Sequence, residues 1–280
     1  MNDMDLNLFL RVAPELYLKR LLVGGFSRVF EIGKNFRNEG MDREHNPEFT
    51  MLEAYAAYKD YQWLMQFTED LLVSVTTEVL GAPEISYQGK RIVLERPFRR
   101  LAWNDLVKEA SGLDYATATV EDFAARAREL DVVVEKSMTK STLADEIYKM
   151  TLRHAMLEPV FVIDHPLELS PLSKKTSPDA DTVARFQLLV GGFEMTNAFS
   201  ELNDPIDQRE RLIQQQKLRE EGSEEAQRVD DDYITALEHG MPPAAGIGIG
   251  IDRLVALLTD SRSLRDILLF PTMKPKMNNE

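Results

Sequence analysis

The stretch of sequence that decides the fold covers residues 36–55 and reads FRNEGMDREHNPEFTMLEAY. Its polar part, residues 35–47, indicates a long loop between a strand at residues 29–33 and a second strand at residues 49–55. Because side chains alternate between the two faces of a strand, four residues of the second strand share one face. They are Phe49, Met51, Glu53 and Tyr55.

Polar groups interrupt this otherwise apolar face. A buried carboxylate such as Glu53 needs a cation or hydrogen-bond donors to offset its loss of hydration. Arg37 and Glu39 stand at the start of the loop and also share one face. A guanidinium is a planar fork that suits a phosphate or a carboxylate. The residues alone leave open whether Arg37 binds a ligand or forms a cross-strand ion pair with Glu39.

A glycine stripe, GIGIGIDR at residues 246–253, is the second informative feature. Gly246, Gly248 and Gly250 share one face of a strand, and a face without side chains lets a flat ligand approach the backbone. Close packing of sheets is the alternative interpretation of such a stripe. We expect Asp252 to cap the following helix, which places Arg253 in its first turn.

The other segments predict an α+β protein. Apolar residues at helical spacing predict helices at residues 14–23, 60–80 and 205–221, and a mostly helical region at about 101–156. Short apolar runs predict strands at residues 160–163, 185–190, 193–201 and 246–251. This order favours mainly antiparallel pairing over repeated βαβ units. No phosphate-binding loop of the Walker or Rossmann type is present, so a nucleotide would need a different fold.

Composition narrows the class of protein. The chain has 280 residues, of which 44% are hydrophobic and 29% charged, as expected for a globular protein. It contains no cysteine, which excludes disulfides and thiolate chemistry. The net charge of −14 argues against a general polyanion binder. No stretch predicts a membrane span or a signal peptide, and we expect a cytoplasmic protein.

A third segment, EMTNAFSELND at residues 194–204, completes a family resemblance. Together with residues 36–55 and 246–253, it resembles the class II aminoacyl-tRNA synthetases in their lysyl form. The resemblance runs nearly from end to end. It implies an α+β catalytic core over residues 1–280, with an antiparallel sheet flanked by helices. Motif 2 falls at about 28–58, motif 3 at about 244–259 and a helical insertion at about 101–156.

The resemblance implies that the chain activates L-lysine with ATP and magnesium and transfers it to tRNA(Lys). Arg37 and Arg253 are the implied catalytic residues. Phe49 and Arg253 are expected to sandwich the adenine. The residues implied in ATP binding are Arg37, Glu39, His45, Asn46, Phe49 and Arg253.

The same resemblance implies a lysine pocket and a metal site. Glu15 is expected to accept from the α-ammonium of lysine, and Glu201 from the ε-ammonium. The implied lysine-binding residues are Glu15, Arg37, Glu53, Tyr55, Asn197, Phe199 and Glu201. Glu194 and Gln187 occupy the positions of two magnesium ligands.

Two departures from the family pattern stand out in the site, and one geometric condition accompanies them. Gln187 replaces a glutamate, and its amide oxygen can coordinate magnesium but carries no charge. Glu44 stands where an arginine usually precedes the loop histidine. Strict alternation also separates Glu194 from Asn197, so both can face one site only if a β-bulge lies between them.

The start of the chain leads to further expectations. Motif 1, which builds the homodimer interface of the family, and the anticodon-binding domain are missing from the sequence. Two other functions stay open on this basis. One is a stand-alone paralogue that lysylates a protein such as elongation factor P. The other is a catalytically degenerate regulator, which Gln187 favours and the intact Arg37 and Arg253 oppose.

Overall fold

Within residues 8–38, 40–222 and 228–273, which the computed structural model describes, the chain forms nine strands and eight α-helices. The strands are β1 (Arg28–Phe36), β2 (Glu48–Ala57), β3 (Glu84–Tyr87), β4 (Lys90–Val93), β5 (Arg99–Ala102), β6 (Val160–Ile163), β7 (Arg185–Val190), β8 (Phe193–Ser200) and β9 (Ala244–Gly250). The helices are α1 (Glu15–Val23), α2 (Tyr61–Leu80), α3 (Trp103–Ser111), α4 (Val120–Glu129), α5 (Lys140–Thr151), α6 (Pro205–Glu220), α7 (Asp231–Glu238) and α8 (Ile251–Leu258).

Seven strands form one sheet in the order β1-β2-β9-β8-β7-β6-β5, and β3 and β4 form a separate ribbon. Every neighbouring pair in the large sheet is antiparallel except β5 and β6, which are parallel. The predicted α+β class with mainly antiparallel pairing is therefore confirmed. No helix in the described part of the chain combines the length and apolarity that crossing a bilayer requires.

One face of the sheet forms the core with α2. Ile247 and Ile249 on β9 are buried there beside Leu64 of the helix. Asp60 accepts a hydrogen bond from the backbone N–H of Trp63 and so caps the start of α2. Burying this face fixes the register of the central strands and turns the alternate residues toward the opposite face.

The opposite face of the sheet carries the glycine stripe on β9, with β2 on one side and β8 on the other. Gly246 pairs with Tyr55 on one side and with Phe199 on the other. Gly248 pairs with Glu53 and with Asn197 in the same way. Since the glycines have no side chains, the flanking residues border an open floor.

The predicted β-bulge is confirmed in the β7–β8 hairpin. Leu188 pairs with Thr196, but Leu189 pairs with Glu194, so Met195 is the extra residue. The bulge reverses the alternation at this point. Glu194 and Asn197 consequently line the same cavity, although strict alternation would place them on opposite faces.

Helices α3, α4 and α5 occupy the region for which a helical insertion is predicted. Trp103, Phe123 and Tyr148 are buried in a cluster of their own, against β6 and the end of β7. The indole N–H of Trp103 donates to Asp145 over 2.8 Å. This contact ties α3 to α5 and fixes the last turns of α5 beside the sheet.

Candidate functional site

A cavity of about 370 Å³ lies over the glycine stripe. Its floor is formed by β2, β8 and β9, and its walls come from α1, the β1–β2 loop, α5 and the start of α8. Most of the site residues predicted from the sequence line it. They are Glu15, Arg37, His45, Asn46, Phe49, Glu53, Tyr55, Glu194, Asn197, Phe199 and Arg253.

Two predicted site residues, Glu201 and Gln187, are not among the residues that line the cavity. The Glu201 side chain is fully buried against Gly246, where a Cβ added to that glycine would overlap its carboxylate. The Gln187 side chain does not reach the cavity lining, because its Oε1 is paired with Nε2 of His165 at 3.0 Å. Glu39 lies outside the described residues.

One end of the cavity is an acidic cluster, which we define as Glu15, Glu53 and Glu201 with Tyr55. Lys19 Nζ lies 2.6 Å from Glu15 Oε1 and 2.6 Å from Glu201 Oε2. The Tyr55 hydroxyl donates to Glu53 Oε2 over 3.1 Å. Lys19 thus pairs with two of the three carboxylates, and the Tyr55 hydroxyl with the third.

Burial leaves this cluster short of positive charge. Loss of hydration raises the pKa of Glu201 to about 8, although the Lys19 ammonium opposes the rise. Burial, reinforced by the charge of Glu15, raises the pKa of Glu53 to about 7. A second cation held in the cavity would stabilise the ionised form of both carboxyls. The acidic cluster is therefore chemically suited to an ammonium ligand.

Arg37 connects this end to the rest of the cavity. Its guanidinium carbon lies 5.1 Å from the centre of the Phe49 ring, and its charge acts on Glu53. Its Nε donates to the backbone carbonyl of Val12 over 3.3 Å. Phe49 and Tyr55 are six residues apart on β2, which separates them by about 20 Å along the strand. Arg37 lies beside Phe49 and its charge acts on Glu53, so it can contact an extended ligand that spans the two ends.

The opposite end presents Phe49 and Arg253. Arg253 Nη1 donates to the backbone carbonyl of Glu194 over 2.7 Å, and Nη2 lies 3.3 Å from Nε2 of His45. His45 Nδ1 lies 2.9 Å from Asp42 Oδ2, so we assign the ring proton to Nδ1 and leave Nε2 as the acceptor. These contacts hold the plane of Arg253 at the cavity wall, where a flat ring can stack on it.

The predicted role of Asp252 as a helix cap is wrong. Gly250 occupies the N-cap position of α8, and Asp252 lies inside the first turn. Its carboxylate accepts instead from the backbone N–H of Thr50 over 2.7 Å. This bond joins the start of α8, which carries Arg253, to β2, which carries Phe49. The sequence at the start of the helix did not show which N–H group would donate to the Asp252 carboxylate.

The wall at Glu194 lacks the second of the two magnesium ligands that the resemblance implies. Magnesium prefers oxygen ligands, and proteins usually supply one or two carboxylates. Glu194 lines the cavity here, but Gln187 is 6% exposed and directed at His165. Among the described residues, no group of three or more metal-ligating side chains comes together. The ammonium of Lys149 lines the cavity in the same region.

Glu44, which departs from the family pattern, is paired with two residues beyond α5. Its carboxylate lies 2.9 Å from Arg153 Nη2 and 3.3 Å from His154 Nδ1. Glu44 lines the cavity, so its charge would face any anion bound there. The pair with Arg153 offsets that charge.

Reasoning from the sequence missed Lys19 and Lys149. Lys19 follows Glu15 by four residues on α1, a spacing that indicates an ion pair on a helix. Lys149 likewise follows Asp145 by four residues on α5. Local spacing could have identified both pairs. It could not have shown that either lysine lies at the cavity, because that depends on how α1 and α5 pack on the sheet.

Known proteins match the sequence of this chain over nearly its whole length. The profile of the family described as tRNA synthetases class II (D, K and N) matches residues 2–274. A lysine--tRNA ligase of Carboxydothermus hydrogenoformans is 53% identical over 98% of this chain and 57% of its own length. That of Enterococcus faecalis is 50% identical over 98% of the chain and 55% of its own length. The chain therefore spans little more than half the length of these relatives.

Proposed function

Because the chain belongs to the class II tRNA synthetases of the D, K and N type, we propose that it activates L-lysine with ATP and transfers it to tRNA(Lys). The first step forms lysyl-adenylate and pyrophosphate, and the second forms lysyl-tRNA. ATP enters as its magnesium complex. We place this activity in the cytoplasm, where ATP and tRNA are available.

The observation that carries the proposal is the acidic cluster. Glu15, Glu53 and Glu201 face one ammonium of the protein, Lys19, inside a desolvated site. Free lysine brings two further ammonium groups that can be held about one side-chain length apart. Glu15 is at the cavity edge and suits the α-ammonium, whereas Glu201 and Glu53 are deeper and suit the ε-ammonium. An uncharged or acidic side chain would bring no further positive charge to these buried carboxylates.

The apolar part of the substrate also has a place. The Phe199 ring lines the cavity and lies 5.2 Å from the Lys19 ammonium, beside the same cluster. Phe199 and Gly246 pair across β8 and β9, and the Tyr55 ring and the Glu201 carboxylate cover the backbone of Gly246. The methylene chain of lysine can lie on the Phe199 ring.

Arg37 is the residue that brings the reacting groups together in this proposal. It lies between the acidic cluster and the ring of Phe49, so it can hold the lysine carboxylate and the α-phosphate at once. An oxygen of the lysine carboxylate forms a bond to the α-phosphorus, and the bond from that phosphorus to the bridging oxygen breaks. Pyrophosphate leaves with the electron pair. No side chain acts as nucleophile, and the protein contributes orientation and positive charge.

The adenine is assigned to the space between Phe49 and Arg253. A purine can stack on the Phe49 ring and beneath the guanidinium plane. Gly250 on the floor pairs with Met51 and leaves room for the flat base. His45 and Asn46 line the same end, and His45 contacts Arg253 directly. The names of the relatives favour tRNA over a protein as the acceptor in the second step.

Amino-acid-dependent exchange of labelled pyrophosphate into ATP tests the proposal. We expect exchange with lysine, weaker exchange with ornithine, which is one methylene shorter, and none with asparagine or aspartate. Exchange that depends on aspartate or asparagine would contradict the assignment of the acidic cluster. Absence of exchange with all of these amino acids, in a sample that still unfolds cooperatively, would favour a catalytically degenerate regulator.

A further inference from the structure

Lys149 on α5 is a fixed cation at the cavity wall. Its Nζ lies 2.8 Å from Asp145 Oδ2 and 3.1 Å from Glu146 Oε1. Asp145 is itself held by the Trp103 indole over 2.8 Å. The Lys149 side chain is 30% exposed and lines the cavity. The ammonium is therefore anchored by two carboxylates, and the Lys149 side chain borders the cavity.

Lys149 remains charged at any physiological pH. Burial alone would lower the pKa of Lys149, but the charges of Asp145, Glu146 and Glu194 outweigh it and raise the pKa above its usual value. The contribution of Glu194 shows that the two side chains act on each other across this part of the wall. Lys149 is thus a cation surrounded by carboxylates.

Position 187, where a second metal-binding carboxylate is expected beside Glu194, does not supply one. Gln187 carries no charge, and its amide oxygen is paired with the buried His165 ring at 3.0 Å. Glu194 alone supplies one carboxylate, the lower end of the one or two with which proteins hold magnesium beside substrate phosphates. A cation other than a metal ion is already present, since Lys149 lines the same cavity.

We propose that the Lys149 ammonium faces the phosphates of ATP in place of a protein-bound magnesium ion. Lys149 is then a phosphate-binding residue, and the protein adds no metal ion to the one that accompanies the nucleotide. An ammonium is a compact point charge that binds phosphate oxygens without a preferred plane. The Glu44–Arg153 pair supports this assignment, because it offsets a carboxylate of the loop that lines the cavity and would repel the phosphates. The inference rests on the proposed use of ATP.

Counting bound metal ions tests the inference without relying on catalysis. Manganese(II) replaces magnesium, its bound fraction is measured by electron paramagnetic resonance, and β,γ-methylene-ATP is the nucleotide. For the unaltered chain we expect one manganese ion for each bound nucleotide. For the double variant Lys149→Met with Gln187→Glu we expect a second ion, because the cation is removed and a carboxylate is added. Two ions in the unaltered chain would overturn the inference.

Nucleotide affinity provides the second measurement. Lys149→Met should weaken binding of the nucleotide roughly tenfold, since one fixed positive charge is lost. Lys149→Arg keeps the charge and should restore most of the affinity, which a merely structural role of the side chain would not require. Lys108→Met is the matched control, because Lys108 on α3 pairs with Asp114 at the surface. Unchanged affinity in Lys149→Met would overturn the inference.

The outcomes separate this inference from the proposed function. If the unaltered chain binds the nucleotide and exchanges pyrophosphate with lysine, but Lys149→Met behaves like Lys108→Met, only the role of Lys149 fails. If the unaltered chain binds no nucleotide at any manganese concentration, the proposed function and the inference both fail.

Discussion

Replacing Glu201 with glutamine should reduce kcat/KM for lysine by roughly 30- to 1,000-fold, which corresponds to about 2–4 kcal/mol. The carboxylate is fully buried and lies 2.6 Å from Lys19. Glutamine keeps the shape but removes the charge that would hold the ε-ammonium. Steady-state pyrophosphate exchange at several lysine concentrations measures the effect. KM for ATP should change much less, because Glu201 lies at the end of the cavity away from Phe49.

The pH profile distinguishes a lost charge from a general disturbance. The raised pKa values of Glu53, about 7, and Glu201, about 8, mean that both carboxyls are protonated at low pH. They cannot pair with an ammonium until they ionise, so kcat/KM for lysine should rise with pH through this range. In Glu201→Gln the upper part of the rise should disappear.

Glu69→Gln is the control for Glu201→Gln. Glu69 is also a buried carboxylate, but it accepts from the backbone N–H of Phe98 over 2.8 Å, far from the cavity. An amide oxygen can still accept that bond, and lysine kinetics should stay close to those of the unaltered chain. If Glu201→Gln and Glu69→Gln gave the same lysine KM and the same pH profile, Glu201 would not be the group that binds the ε-ammonium.

Adding one methyl group at Gly246 should raise KM for lysine roughly ten- to a hundredfold. A Cβ at this position would overlap both the Glu201 carboxylate and the Tyr55 ring. The ring is 5% exposed and packed on α1 and α7, so it cannot move aside without cost. The backbone of Gly246 does not need a positive φ, so the effect of Gly246→Ala is steric.

Gly248→Ala is the matched control on the same face of β9. Its Cβ would meet Met51 Sδ at 3.4 Å, an ordinary contact with the end of a flexible side chain. We expect this variant to unfold at nearly the same temperature as the unaltered chain and to show a smaller change in KM for lysine. Equal lysine KM values for Gly246→Ala and Gly248→Ala would contradict the position assigned to the substrate.

The sequence predicts the site correctly where strand periodicity alone determines which residues share a face. Alternation places Phe49, Glu53 and Tyr55 on one face, and the structure shows all three lining the cavity. The glycine stripe behaves in the same way, since Gly246, Gly248 and Gly250 lie on the floor. The β-bulge follows from a conflict between alternation and two residues expected at one site, and Met195 resolves it.

Contacts between distant elements are what the sequence leaves undetermined. Gln187 and His165 are 22 residues apart and meet only because β6 and β7 are neighbours. Asp252 bonds to Thr50, which is 202 residues away, although its local position suggests a helix cap. Lys19 reaches Glu201 because α1 packs beside β2 at the end of the sheet. Such partners depend on tertiary packing, which local spacing in the sequence cannot predict.

A crystal structure with a non-hydrolysable lysyl-adenylate analogue, the lysyl sulfamate ester of adenosine, tests the central claim most directly. We predict that the ε-ammonium lies within about 3.5 Å of Glu201 or Tyr55 and the α-ammonium within the same distance of Glu15. Arg37 should contact the sulfamate, and the adenine should lie between Phe49 and Arg253. An analogue bound with its ε-ammonium away from the acidic cluster, or outside this cavity, would contradict the account.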